Sequence, residues 1–462
     1  MERKNKSLFI IFSHVFLGVI AKFFAPAFTA YYLAIILWGF YRVFSTNDRG
    51  HCAARFGLYV MGLEILYRMG GFTISHELAK YASALLFFCG MLVSAKRSDY
   101  LPFLLYLLLL LPAVLLTQTD EGLDSYRKMI LFNMSGPISL AFSGMYFYKR
   151  RISERYLWTI MRWAVYPAIS VVVLLFLGAR VSAVDLSSNS NFALSGGFGP
   201  NQVSTALGFF LLVLIFAVWN QKVLTYNRWT DYLLIGLVLI RGFFTFSRGG
   251  LFAVALAVLC SVVALIVTSQ IFRERLGRFG LTALFLGVFF SGIFLLANKM
   301  TDNWLLSRYQ GKSTTEVNTG IKPSQEKAYL TGRVEIAAAE LELFKKNWLT
   351  GVGIGMSKAI REKKYTGHKA MVSHFEIPRM LSEHGSLGAI AVIFLLIIYP
   401  FKQIKFLRCV LARQFFVLFF VLGVLMATHS AMRMAIPGVI IGFSFALIVP
   451  NQVRKFGLTE DV

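Results

Sequence analysis

Residues 101–116, LPFLLYLLLLLPAVLL, form an apolar run without a single charged side chain. A second such run, LFAVALAVLCSVVALIV, occupies residues 251–267. Uncharged runs of roughly 17 to 25 residues are typical of transmembrane helices. The whole chain agrees with this pattern, because 57% of its 462 residues are hydrophobic and only 15% are charged. The sequence therefore predicts an all-α polytopic integral membrane protein.

The same pattern recurs along the chain and predicts about 12–14 transmembrane helices. The predicted spans lie near residues 7–24, 27–44, 54–70, 77–95, 99–117, 128–147, 158–178, 201–219, 229–246, 249–269, 278–297, 385–401, 413–429 and 433–450. Three parts follow from this order. Residues 1–297 form a transmembrane bundle of about eleven spans, residues 298–384 form one large loop containing short helices, and residues 385–462 form C-terminal transmembrane helices with a short tail.

Lysine and arginine cluster in alternate loops, for example at Lys149, Arg150, Arg151 and Arg155. Cytoplasmic loops of membrane proteins carry an excess of these residues, so the alternation places both termini in the cytoplasm and the large loop on the outer side. The same bias, together with attraction to anionic lipid, accounts for the net charge of +24. We therefore expect membrane lipid as a partner and no nucleic acid.

The large loop is polar from Gly311 to Gln325 and then becomes rich in helix formers from Gly332 to Phe344. Apolar positions recur at helical spacing in the second segment, which predicts an amphipathic helix lying over the bundle with Arg333 at its start. This helix should end before a glycine cluster, which suits a tight turn or a close approach of backbone to a ligand. The cluster consists of Gly351, Gly353 and Gly355.

A histidine lies where the large loop meets the next span. Ser373 and Glu376 have capping-box spacing, which predicts a helix from Ser373, whereas Pro378 favours a start near Ile377. Both starts place His374 at a helix mouth, where partial positive charge disfavours the imidazolium and keeps the ring neutral. A neutral imidazole can act as a general base. A surface histidine in a capping turn is the alternative.

An arginine lies in the polar segment Thr245 to Gly250, between two apolar spans. Arg248 at membrane depth suggests a functional site, with a snorkelling interfacial cation as the alternative. Together with Arg333 it could form a clamp for phosphate oxygens, because planar guanidinium groups suit them. The segment Thr428 to Arg433 forms another polar outer turn, for which a structural role is the first interpretation and contact with the site is the alternative.

Motifs for metals and nucleotides are missing from the sequence. It contains no HExxH, no zinc-type cysteine pair and no aspartate pair of the kind that holds a metal nucleotide-sugar. The glycine cluster does not follow a convincing strand, so it does not predict a dinucleotide site. We therefore predict no metal and no cofactor.

Three segments together resemble the bacterial O-antigen ligase and polymerase superfamily. They are Ser247-Arg248-Gly249, then Gly332-Arg333 through Gly351-Val352-Gly353-Ile354-Gly355, then His374 through Glu383-His384-Gly385-Ser386-Leu387-Gly388. Their order and predicted topology match the family. The ligase signature has a polar residue directly after the histidine, where this chain has Phe375, but the spacing to Gly385 and Gly388 is kept.

The resemblance implies a GT-C-like fold and glycosyl transfer outside the bacterial inner membrane, without a metal and with inversion. The donor would be a glycan linked to undecaprenyl diphosphate, and the acceptor would be lipid A-core or another glycan. His374 would be the general base, Arg248 and Arg333 would bind the diphosphate, and the substrate loop would comprise Gly351, Gly353, Gly355, Glu376 and Arg379. The spacing favours a ligase, with a polysaccharide polymerase as the alternative and a transporter or flippase as a further one.

Overall fold

The structure is a computed structural model that describes residues 2–72, 74–95, 98–118, 122–178, 188–270, 276–310, 333–365, 373–407 and 409–450. The polar stretch predicted from Gly311 to Gln325 lies outside these residues. Each predicted span overlaps a helix. Among the described residues, seven helices are long and apolar enough to cross a membrane, and three shorter helices are also apolar. The predicted all-α polytopic class is confirmed.

The described residues form helices and two short strands. In order they are α1 Glu2–Phe23, α2 Ala25–Ser45, α3 Cys52–Met69, α4 Leu78–Val93, α5 Leu101–Leu110, α6 Pro112–Leu115, α7 Leu123–Phe147, β1 Arg151–Ser153, α8 Glu154–Leu177, α9 Ser188–Leu194, α10 Pro200–Trp219, α11 Arg228–Phe244, α12 Gly249–Thr268, α13 Leu276–Met300, α14 Trp304–Tyr309, α15 Arg333–Lys346, α16 Met356–Lys364, α17 Glu376–Ile393, a π-helix Phe394–Ile398, α18 Tyr399–Ile404, α19 Val410–Ser430, α20 Ala435–Ser444 and β2 Leu447–Val449.

Large hydrophobic side chains cover much of the outside of the bundle. Phe9 on α1, Leu37 on α2 and Leu92 on α4 are all largely exposed. Exposing so much apolar surface to water is energetically unfavourable for a monomer, whereas contact with lipid tails is not. Inside the bundle, α7 packs against α20 and α12 packs against α19. The exposed apolar faces therefore mark the lipid-facing side of the helices.

One end of the bundle is fixed by a fully buried ion pair. Arg150 lies 2.7 Å from the Asp48 carboxylate, which also accepts a hydrogen bond from the Tyr146 hydroxyl. Beside them β1 and β2 pair in parallel, with Arg151 opposite Leu447. Arg150 is thus a buried structural cation, although its position in a cluster of basic residues suggested a solvated loop. Buried charges must be paired, and Asp48 meets that requirement.

The large loop docks on the other end of the bundle through α15 and α16. The buried face of α15 carries Ile336, Ala339, Glu340 and Leu343, which confirms the predicted amphipathic helix. Glu340 forms a fully buried ion pair with Arg361 of α16 at 3.3 Å. Its second carboxylate oxygen accepts a hydrogen bond from the Ser373 hydroxyl at 3.0 Å. One carboxylate therefore ties both loop helices to the segment that precedes His374.

The glycine cluster forms the predicted tight turn and packs against α17. This helix is interrupted at Gly385, whose φ of 58° and ψ of −137° are not helical. A Cβ atom on Gly385 would lie 2.4 Å from the Gly351 nitrogen, so the two backbones can touch only without side chains. Two hydrogen bonds close this contact, from Val352 N to Ser382 O at 2.9 Å and from Gly353 N to Glu383 O at 3.1 Å. The close approach made by the glycine turn is thus to protein backbone.

Helix α17 begins at Glu376, with Phe375 as an N-cap that makes no side-chain capping bond. The capping box predicted from Ser373 is therefore wrong, and the alternative start near Ile377 fits. Ser373 instead donates to Glu340 and accepts from the Phe375 nitrogen. Pro378 lies in the first turn, where its missing N–H removes no helical hydrogen bond.

Replacing Arg361 with alanine should loosen the loop, because it leaves the Glu340 carboxylate buried without its cation. Breaking a buried pair in this way costs about 3–5 kcal/mol. Thermal unfolding of the detergent-solubilised protein and limited proteolysis of α15 would both measure the effect. The matched control is Lys346→Ala, which removes an exposed ion pair to Glu342 on the same helix and should have little effect. Equal effects of the two substitutions would contradict this account of how the loop is held.

Candidate active site

His429, at the end of α19, joins the turn before α12 to the start of α15. Its Nδ1 lies 3.2 Å from Nη1 of Arg333, and its Nε2 lies 3.3 Å from the Ser247 hydroxyl. Arginine can only donate, so Nδ1 accepts from Arg333 and Nε2–H donates to Ser247. The Ser247 hydroxyl then donates to Oδ1 of Asn201 at 2.9 Å. A neutral imidazole thus aligns three separate segments of the chain.

Because Gly249 has no side chain, the His429 ring can pack directly against its backbone. A Cβ atom at this position would lie 2.0 Å from Nδ1 of the His429 ring. Any side chain at residue 249 would therefore displace the ring that orients Arg333. This contact gives a physical reason for the glycine in the Ser247-Arg248-Gly249 motif.

The structure brings Arg248 and Arg333 together. Burial lowers the pKa of Arg333, and the charge of Arg248 lowers it further. Nη1 of Arg248 also lies 3.4 Å from the Tyr309 carbonyl oxygen. Two guanidinium groups held close to each other repel, and an anion between them would relieve that repulsion. The pair is therefore a candidate site for a phosphate group.

His374 lies two residues before α17, near enough to Arg333 and Arg433 to feel their charges. Its carbonyl accepts a hydrogen bond from the Ala431 nitrogen at 3.0 Å. Among the described residues nothing hydrogen-bonds to its Nδ1, which is buried. Burial lowers the pKa of His374 to about 3, with further lowering by the charges of Arg433 and Arg333. The ring is neutral, as the sequence predicted, but burial and two cations account for this rather than a helix dipole.

Glu376 and Arg379, predicted as substrate-loop residues, contact the protein itself. Glu376 forms a buried ion pair with Arg379 and accepts a hydrogen bond from the Met432 nitrogen at 3.1 Å. Nη1 of Arg379 also donates to Oδ1 of Asn133 at 3.1 Å. These contacts fix the segment that carries His374 against the 431–434 turn. Arg433 in that turn adds a hydrogen bond from its guanidinium to the Ser373 carbonyl.

Within the described ranges, no three side chains of the types His, Cys, Asp and Glu converge as metal ligands would. The absence of a metal from the site stays a prediction of the sequence.

Sequence reasoning underrated His429 and Arg433. Both lie in the polar segment from Thr428 to Arg433, where α19 ends, and a structural role was the first interpretation of that segment. The sequence did contain an indication of their role. His429 and Arg433 lie at the outer end of a predicted span, as Arg248 does. What the sequence lacked was the pairing of this turn with α15, since Arg333 and His429 are separated by 96 positions.

Residues 233–393 match the family model described as O-antigen ligase. This part of the chain is similar to the O-antigen ligase family. The matched region includes Arg248, Arg333 and His374, and the match confirms the resemblance to the O-antigen ligase and polymerase superfamily. The comparisons with curated proteins and with solved structures gave no match.

Gly249→Ala should destabilise the protein, because the new methyl group overlaps the His429 ring. Overpacking of this kind costs about 1–3 kcal/mol. The shift in thermal unfolding of the purified protein would measure it. Gly292→Ala is the matched control, because no atom lies within 4 Å of a Cβ there, so it should be neutral or slightly stabilising. If both variants unfold like the wild type, the packing of His429 on Gly249 is refuted.

Proposed function

We propose that this protein transfers a glycan from undecaprenyl diphosphate to an acceptor hydroxyl at the periplasmic face of the bacterial inner membrane. Both termini would then lie in the cytoplasm. One observation supports this function above the others. The neutral His374, whose buried Nδ1 has no hydrogen-bond partner among the described residues, lies within reach of the charge of Arg333, which in turn feels the charge of Arg248. Buried polar atoms without partners are rare, and a substrate hydroxyl would complete this one.

The reaction needs a base, an electrophile and a place for the leaving group. Nδ1 of His374 takes the proton of the acceptor hydroxyl, whose oxygen attacks the anomeric carbon of the donor. The bond between that carbon and the diphosphate oxygen breaks, and its electron pair stays on the diphosphate. Arg248 and Arg333 stabilise the growing negative charge. Direct displacement inverts the anomeric centre, and the proton leaves His374 to solvent.

Donor binding should also make His374 a stronger base. In the free protein the charges of Arg333 and Arg433 oppose protonation of the ring. A bound diphosphate supplies negative charge beside Arg333 and so offsets that effect. The base would thus be activated only when the donor is present. This coupling needs no movement of the backbone.

Ligase and polymerase chemistry share this site and differ in the acceptor. The kept spacing from His374 to Gly385 and Gly388 favours a ligase that uses lipid A-core. Deletion of the gene distinguishes the two, because loss of a ligase leaves polymer on the undecaprenyl carrier and loss of a polymerase leaves single repeats on lipid A. An intact ladder on lipid A would exclude both.

His374→Ala and His374→Gln should both abolish transfer, because neither side chain can accept the hydroxyl proton. Loss of a general base costs about 10²–10⁴-fold in rate. The measurement is conversion of lipid-linked glycan by purified protein in detergent without an ion gradient. Unchanged thermal unfolding of the glutamine variant would show that the protein is still folded. Turnover within about tenfold of the wild type would remove His374 from the role of base.

The pH dependence of the transfer rate should show that the pKa of His374 is lowered. Neutral His374 persists below the ordinary value of 6.5, since its pKa in the free protein is lowered to about 3. The profile of kcat/KM for the donor reports the free enzyme and should stay flat from about pH 8 down to about pH 5. The acid limb of kcat should lie at higher pH than that of kcat/KM, because the bound diphosphate raises the histidine pKa. A halving of kcat/KM near pH 6.5 would contradict the assignment.

A further inference from the structure

A cavity of about 560 Å³ lies next to the candidate active site. Arg433 belongs to both, because its guanidinium contacts the Ser373 carbonyl and its side chain lines the cavity. The lining contains neither of the arginines assigned to the diphosphate, and His429 is absent from it too. The cavity therefore borders the segment that carries His374 on the side of Arg433, and the charge of Arg333 acts on the same histidine.

The cavity wall combines fixed polar groups with aromatic faces. Arg68 is held there by an ion pair with Glu64 at 2.6 Å and donates to Oε1 of Gln202 at 3.1 Å. His76 and Glu77 add further polar groups, and Tyr81, Phe132 and Phe198 add rings. A few fixed polar groups on a mostly apolar wall, in a cavity of roughly 300–1,000 Å³, are typical of small-ligand sites. Sugars suit such a wall because their hydroxyls hydrogen-bond while their C–H faces stack on rings.

The mouth of the cavity lies on a lipid-facing surface. Leu131 and Phe132 of α7 line it, and their exposed fractions are 46% and 47%. Lys128, one turn earlier on the same helix, is a largely exposed cation beside them. Apolar side chains with a basic residue at the end of a span are typical of the membrane interface. A ligand could thus enter from the side while its lipid stays in the bilayer.

In a direct displacement the attacking oxygen and the leaving oxygen occupy opposite sides of the anomeric carbon. The diphosphate is assigned to Arg248 and Arg333, so the attacking hydroxyl must reach His374 from another direction. The cavity beside Arg433 offers that direction.

We propose that this cavity binds the saccharide of a lipid-linked acceptor and presents its attacking hydroxyl to His374. The assignment rests on the proposed function and adds the location at which the acceptor binds. Arg433 is a positioning residue in this scheme, since it links the cavity wall to the His374 segment.

The test is to block the cavity mouth with a tryptophan side chain and to measure KM for the acceptor and for the donor separately. Leu131→Trp should raise KM for the acceptor at least about fivefold and leave KM for the donor within about twofold. The acceptor probes are lipid A-core and an undecaprenyl-diphosphate-linked single repeat, each used with the same lipid-linked donor. Leu123→Trp is the matched control, because Leu123 lies on the same helix, is 86% exposed and does not line the cavity. It should change neither KM.

Ser75→Trp, at an exposed position on another wall, repeats the test if Leu131→Trp does not purify as a monodisperse protein. An unchanged KM for the acceptor, a selective rise in KM for the donor, or an equal effect of Leu123→Trp would overturn the assignment. Failure of the proposed function looks different, because the wild type would then transfer no glycan to either probe. A wild type that is active, with variants that leave the acceptor KM unchanged, would reject the acceptor cavity alone.

Discussion

The buried carboxylate of Glu376 is the contact on which the candidate site depends. It pairs with Arg379 and accepts a hydrogen bond from the Met432 nitrogen, while the neighbouring Ala431 nitrogen donates to the His374 carbonyl. A carboxylate in this environment cannot be left without partners, so the start of α17 and the 431–434 turn must fold together. His374 is carried in the same segment and takes its position from these contacts.

The large loop contributes the second half of the arrangement. Helix α15 brings Arg333 to the bundle, and His429 and Ser247 set its orientation by an unbroken series of hydrogen bonds. Charged groups at the end of a membrane bundle are costly unless they are paired or serve a ligand. In the loop, Glu340 and Arg361 form a buried ion pair, whereas Arg333 lies where the charge of Arg248 lowers its pKa. The loop thus contributes a structural ion pair and an arginine suited to an anionic substrate.

Hydropathy alone predicted the spans well, because lipid-facing helices must be apolar along their whole length. The helix formers and apolar spacing after Gly332 likewise predicted α15. Contacts between distant segments could not be predicted in this way. The sequence does not reveal that Gly385 interrupts α17 against Gly351, or that Arg150 is buried against Asp48. The motif residues could be identified from the sequence pattern. The role of His429 follows only from its contacts with Arg333 and Ser247 in the structure.

The central claim is that two arginines hold the diphosphate of the donor beside His374. Binding of undecaprenyl diphosphate to the purified protein tests it most directly, with Arg248→Lys and Arg333→Lys as variants that keep the charge. Lysine cannot form two parallel hydrogen bonds to a phosphate, so each variant should bind at least about tenfold more weakly than the wild type. Wild-type affinity in both lysine variants would contradict the account.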